Sequence, residues 1–322
     1  MRTILWKRLV TIGFVFLFIM LILGTVSFAK YPEQPITYII AFSPGGESDI
    51  TARLQQKYLE EELGVNMLIT YKTGGGGAVA WAELARAKPD GYTIAGVNEP
   101  HTILQPLQGN PGYKTEDLTR IGCFQYTPCS VIVRADSPFK TMQDLIEYAK
   151  EHPKTLTIGG TGTWASTHFT YLLLSKQAGI DLVYVPFAGS GQTKAAILGG
   201  HVSVTIGHPT HAVALGDKVR QLAMASDERV AAFPDVPTLK ELGYDVVEGS
   251  YRGVCAPPGT PKEIVDILDS AFKKVNENPE FIAQMEPLGF SLLYWGAEEY
   301  DKVIKERTEY YEKLLADYGF ER

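Results

Sequence analysis

The sequence predicts an α/β protein organised in two domains around parallel sheets. Three observations carry this expectation. Strand-like and helix-like segments alternate through most of the chain, the pattern that builds parallel sheets. The 322 residues suit two domains of about 150 residues each behind an N-terminal segment. Glycine-rich turns join strand to helix at three places, near residues 36–53, 159–168 and 186–194. At such a junction the free N–H groups and the positive end of the helix dipole favour an anion.

The N-terminus reads as a targeting segment. Arg2, Lys7 and Arg8 precede an apolar run over 9–26, and Ser27-Phe28-Ala29 follows with small residues at −3 and −1. This is the pattern of a secretory signal cut after Ala29, so residues 1–29 are excluded from the fold. The apolar run is also long enough to span a bilayer, which keeps an uncleaved anchor as the alternative. Removing 1–29 takes away three basic residues and no acidic one, so the remainder is more acidic than the full chain at −7. That balance excludes nucleic acid and anionic membranes as partners. A carboxylate site must therefore act through local geometry against the overall field. Cys123, Cys129 and Cys255 are too few for a disulfide-dense scaffold; a Cys123–Cys129 disulfide and buried free thiols both remain open.

Along the chain the first strand is expected at 36–42, with its helix at 48–63. A strand at 66–71 leads into the glycine run 74–77 and a helix at 78–87, and the next strand follows at 92–97. Another strand is placed at 130–134. Thr141 and Asp144 then form a capping box at a helix start. Strands at 156–159 and 182–185 each run into a glycine turn and a helix, and a strand at 202–207 ends at His208-Pro209. Thr260-Pro261-Lys262-Glu263 reads as a cap, a first-turn proline and a third-position glutamate before a helical apolar stripe. Long linkers and short-period repeats are lacking.

The glycine patterns Gly75-x-Gly77-x-x-Ala80 and Gly160-x-Gly162-x-x-Ala165 match a loosened dinucleotide fingerprint. Export would remove the chain from the nicotinamide pool, and no acid closes the strand 182–185 where a ribose partner belongs. A smaller anion fits the same backbone better. Ser43, Gly45 and Gly46 offer N–H groups at the first junction. At the second, Thr161, Thr163, Ser166 and Thr167 offer hydroxyls beyond what one helix cap needs. Asp49 either supports its own helix start or faces the cleft, where it would work through water or accept from a ligand hydroxyl or amine. His208, at a strand's carboxyl end, is a pocket candidate. A His208–His211 metal pair lacks an obvious third ligand, so neither a metal nor a cofactor is expected. Catalytic motifs such as G-x-S-x-G, the phosphate loop and H-E-x-x-H are missing.

These residues resemble the extracytoplasmic solute receptors of the tripartite tricarboxylate transporter family, the Bug or TctC receptors. The resemblance covers nearly the whole chain after the signal. It rests on Phe42-Ser43-Pro44-Gly45-Gly46 with Asp49 and Arg53, Lys88-Pro89-Asp90-Gly91-Tyr92-Thr93, Val185-Pro186-Phe187 with Gly189, Phe233-Pro234-Asp235-Val236-Pro237-Thr238, and Ala256-Pro257-Pro258-Gly259-Thr260-Pro261, in that order. It implies a periplasmic-binding-protein-like (type II) Venus flytrap: two doubly wound α/β domains joined by crossing strands, with a ligand cleft between them. Domain 1 would comprise 30–128 and 252–322, and domain 2 residues 129–251. Carried over residue by residue, ligand contacts fall at Phe42, Ser43, Gly45, Gly46, Asp49 and Asn98 in domain 1. In domain 2 they fall at Thr161, Thr163, Ser166, Thr167, Ala188 and Gly189. The family often has an acidic or amide residue where this chain has His208, and Trp164 makes the second loop bulkier than usual.

The function implied is capture of a small organic acid, di- and tricarboxylates favoured, by a monomeric periplasmic or extracytoplasmic receptor. That receptor would deliver the acid to membrane permease subunits. A protonated His208 would suit a second carboxylate. A sensory receptor feeding a signalling partner is the alternative, and an exported enzyme the remote one.

Overall fold

The computed structural model describes residues 31–320, so the expected signal segment lies outside the described residues. Among them no helix is long and apolar enough to cross a membrane.

The first lobe begins with β1 (Ile36–Ile40), apolar and buried at every position but the half-buried Thr37, as suits a parallel strand covered on both faces. It pairs in parallel with β2 (Met67–Tyr71) and with β3 (Thr93–Glu99). Helix α1 (Glu47–Leu63) follows the first turn, and α2 (Ala78–Leu84) follows the glycine run. Helix α3 (His101–Gln108) starts directly after β3. Trp81 anchors this lobe: it is fully buried, and its indole N–H donates to the Gly96 carbonyl at 2.9 Å.

The second lobe repeats the arrangement. The parallel strands are β5 (Thr157–Thr161), β6 (Val183–Phe187) and β7 (Val204–Gly207), in the order β6-β5-β7. Helices α5 (Ser166–Ala178), α6 (Ser190–Leu198) and α7 (Pro209–Leu215) each begin just beyond one of them. Helix α4 (Met142–Glu151) carries the expected capping box: Thr141 Oγ1 accepts from the Asp144 N–H at 3.2 Å, and Asp144 Oδ2 accepts from the Thr141 N–H at 2.9 Å.

Neither sheet is wholly parallel. The sixteen-residue strand β4 (Thr119–Arg134) pairs antiparallel with β9 (Gly249–Ala256) along Thr119–Pro128, and then with β7 and β8 (Val219–Ala225) from Cys129 onward. It leaves one sheet for the other at Pro128, where a missing N–H does least harm to either ladder. The return path enters at Glu248, whose carbonyl accepts from the Cys129 N–H at 2.8 Å, and becomes β9 at Gly249. The two chains cross so closely that a Cβ on Gly249 would sit 2.5 Å from the Thr127 carbonyl oxygen. Out-and-back crossings run antiparallel, so the parallel strands of each lobe are joined into a mixed sheet by the crossing strands that the resemblance implies. We place the boundary between lobes at these two crossings.

The C-terminal part completes the first lobe with α8 (Lys262–Asn276), α9 (Pro279–Met285), β10 (Ser291–Gly296, paired with β4) and α10 (Ala297–Tyr318). The expected Thr260 cap is not formed. Its hydroxyl donates to the Pro257 carbonyl at 2.8 Å, and Pro261 holds the cap position. Helix α10 reaches across the crossings: Tyr311 packs edge-on against Phe169, and the Tyr318 hydroxyl accepts from Gln177 at 2.9 Å. The three cysteines are free and buried, and burial pushes the thiols of Cys129 and Cys255 up to about 12.

Candidate ligand-binding site

Each parallel strand delivers its following loop to the same edge of its sheet, so the two lobes meet loop to loop. Between them lies a cavity lined by Phe42, Ser48, Asn98 and His101 from the first lobe, Thr161, Ser190 and His208 from the second, and Ser250 and Arg252 from β9, with Glu47 reaching across. At about 20 Å³ it holds no more than a water or two, so the lobes must part to admit an organic acid.

The first junction is built tightly. Phe42 ends β1 with its ring edge-on to Trp81 and His101, at 6.2 and 5.5 Å between centroids. The turn Ser43-Pro44-Gly45-Gly46 closes through a bond from the Gly46 N–H to the Ser43 carbonyl at 3.3 Å. Asp49 stabilises this turn from beneath. Its carboxylate accepts from the Gly45 N–H at 2.7 Å, from the Tyr71 hydroxyl at 2.6 Å and from Arg53 at 2.8 Å. Asp49 therefore does not line the cavity, because all its directions are taken by the loop it supports. Ser43 Oγ is buried without a partner and lies against Gly189 across the cleft. Gly45 is exposed on the outer side of the turn.

In the second lobe Thr161 reaches the cavity at the end of β5. Thr167 Oγ1 accepts from the Thr161 N–H at 2.9 Å and lies 3.2 Å from the Thr161 hydroxyl. Ser166 pairs with Ser250 at 2.7 Å, oxygen to oxygen. Thr167 and Ser166 are thus buried supports of the pocket wall. Thr163 and Ala188 are exposed and outside the cavity; Thr163 and Trp164 line a separate pocket with Gly75 and Gln105 of the first lobe. The first turn faces Gly189 and Ser190, while the glycine run 74–77 meets Gly162. A Cβ on Gly162, where φ is +76°, would fall 2.8 Å from Gly76 Cα.

The strongest feature of the site is a residue that pattern reading overlooks. Glu47, first in α1 and 4% exposed, carries a carboxylate that accepts from Arg252 Nη2 and from the Thr210 hydroxyl. Its Oε2 lies 2.8 Å from His208 Nδ1, within ion-pair range though off the line of a straight hydrogen bond. Its backbone N–H donates to Ser190 Oγ at 3.1 Å. Arg252 is held in turn by Thr127 Oγ1 at 2.9 Å. Burial pushes the Glu47 carboxyl upward, but Arg252 and His208 outweigh it and hold the group well below the usual carboxylate range. Burial, reinforced by Arg252 and His208, depresses His101 to about 3. His211 also falls to about 3, chiefly through burial, and its Nδ1 accepts from the His208 N–H at 3.3 Å.

Glu47 also supplies the third donor that the His208–His211 spacing lacks. One ligand atom from each of the three lies within 4.8 Å of the others. A cation there would have to displace Arg252 from the shared carboxylate, so the donor set fits a hydrogen-bonded cluster better than a metal centre. Sequence reasoning also passed over Ser48, His101, Ser190, Ser250 and Arg252. The available signal was a charged residue inside an apolar strand pattern, Tyr251-Arg252-Gly253-Val254, where burial demands a partner.

Known proteins match this architecture. A family model described as the tripartite tricarboxylate transporter family receptor, TctC, matches residues 51–320. A protein of Cupriavidus necator described as the UPF0065 protein in the gbd 5' region is 32% identical over 90% of this chain and 89% of its own length. Protein BugT of Bordetella pertussis is 28% identical, covering 80% and 79% respectively. Among solved structures, the periplasmic binding protein BugD superposes with a TM-score of 0.85 at 30% identity, covering 90% of this chain and all but 1% of that one. MatC from Rhodopseudomonas palustris, solved with bound malate, superposes at 0.83 with 25% identity over 88% of this chain and 100% of that one. The family is one of solute-binding receptors rather than enzymes. With its inter-lobe cavity, its crossed hinge strands and a family match over most of its length, the chain belongs to the tripartite tricarboxylate transporter receptor family.

Proposed function

We propose that this protein is an extracytoplasmic receptor that captures a small organic carboxylate between its lobes and delivers it to the permease of a tripartite tricarboxylate-type transporter. One observation carries the reading. The cavity gathers Thr161, Ser190 and His208 from one lobe and Phe42, Ser48 and Asn98 from the other, so a ligand bound there bridges both. Closure about the crossings at Pro128 and Gly249 would bury the acid and form the surface a permease reads. The malate bound by MatC supports an organic acid as the ligand class. Di- and tricarboxylates are the acids that the family resemblance favours, and in this fold Glu47 stands beside the His208 imidazole.

Thermal denaturation against a panel of mono-, di- and tricarboxylates tests the proposal. A true ligand at about 100 times its Kd adds about 2.7 kcal/mol and raises the melting temperature by several degrees. A panel in which no organic acid shifts the transition rejects the receptor reading.

A further inference from the structure

Glu47 behaves in this fold as a resident carboxylate. It is fixed on the first turn of α1 and pinned by Arg252 of β9, both parts of the first lobe, so it stays with that lobe when the cleft opens. On closure it engages groups of the second lobe: the Thr210 hydroxyl donates to its carboxylate, its own N–H donates to Ser190 Oγ, and His208 comes to 2.8 Å. From the position of this group we infer that the cleft selects acids bearing a single carboxylate, with Glu47 standing where the second carboxylate of a dianion would bind. The inference rests on the receptor reading and names its ligand class.

The argument is one of charge and partners. Arg252 and Glu47 cancel one another inside the cavity, leaving no uncompensated positive charge on the guanidinium for a second anionic group. A dianion would bring its distal carboxylate against a buried carboxylate whose donors are already engaged, and both repulsion and lost hydration count against it. An amide, hydroxyl or ammonium at the same distance would instead donate to Glu47. The ligand's one carboxylate is left Asn98, Thr161 and Ser48, none of which is anionic.

The test is calorimetric titration of the full receptor with three- to six-carbon dicarboxylates and with their monoamides, which match them in size but lack one charge. The tightest wild-type ligand should be a monoamide, at least tenfold tighter than its parent diacid. Glu47→Gln should strengthen the diacid at least tenfold relative to the monoamide, since Arg252 is then free to pair. A wild-type preference for the diacid overturns the inference while leaving the receptor reading intact, as does a Glu47→Gln ratio within threefold of wild type. Should neither series bind, both fall together. If Glu47→Gln does not fold, Glu47→Ser reads the same ratio, and the wild-type comparison decides without either variant.

Discussion

Single side chains decide what this cleft can hold, and two buried histidines make that visible as acid sensitivity. His101 and His211 titrate near 3 in the folded protein against an ordinary value of 6.5, because burial keeps both neutral. Between these limits the unfolded chain binds more protons than the folded one. Their effect is therefore silent above about pH 7 and destabilises the fold as pH falls through 6.5 toward 3. His101→Phe should fit among Phe42 and Trp81 and remove one of the two protons. Urea denaturation between pH 7 and pH 5 should give a stability slope shallower than wild type by up to about 1.4 kcal/mol per pH unit. An unchanged slope would mean that His101 is not held neutral. At this scale the sequence was legible in part. Phe42, Asn98, Thr161 and His208 do line the cavity. Asp49 does not, because helix-start spacing cannot tell a carboxylate facing the cleft from one turned under its own loop onto Tyr71, twenty-two residues away. Glu47, two residues earlier on the same turn, takes the role through Arg252, 205 residues distant.

At the scale of elements, the glycine turns govern how closely the lobes approach. Gly162 stands at a positive φ with its α-carbon against Gly76 of the other lobe. Gly162→Ala adds a methyl where 2.8 Å separates it from backbone, and it costs about 1 kcal/mol in the left-handed conformation. The expected result is a melting temperature lowered by a few degrees and ligand binding weakened at least tenfold, since the alanine wedges the cleft. Normal affinity in that variant would show that the glycine contact is not part of the closed state. The elements themselves were legible where a glycine turn joins strand to helix, as in β1 with α1 or β5 with α5, whereas the helices α3 and α7 that follow β3 and β7 were not. The first half of β4 and all of β9 were not. Gly122, Gln125 and Pro128 break the alternation of one, and Gly249, Arg252 and Gly253 break that of the other. Those strands exist because they pair with each other across more than a hundred residues of chain.

For the whole molecule the consequence is a braced crossing. Glu248, at the return crossing, accepts from the Tyr311 hydroxyl at 2.9 Å and lies 3.6 Å from Arg307, so α10 is tied to that crossing. Trp164, in the second lobe, lines a separate pocket between the lobes with Gln105, Gln108 and Asn110 of the first. Lobe closure must change the solvent around its indole. Titration with a carboxylate ligand should shift Trp164 emission, and Trp164→Phe should abolish that shift while binding remains measurable by calorimetry. An emission change that survives the substitution would place the reporting movement elsewhere.

By itself the sequence determined the fold class, the glycine turns at the strand ends and the family, because these follow from local periodicity and from motifs in fixed order. Tertiary structure alone decided which turn faces which, that the sheets are mixed, and that Glu47 rather than Asp49 enters the cleft. The physical reason is common to all three. A buried charge is defined by its partners, and Arg252, Thr210 and His208 become partners of Glu47 only when two lobes and a crossing strand converge.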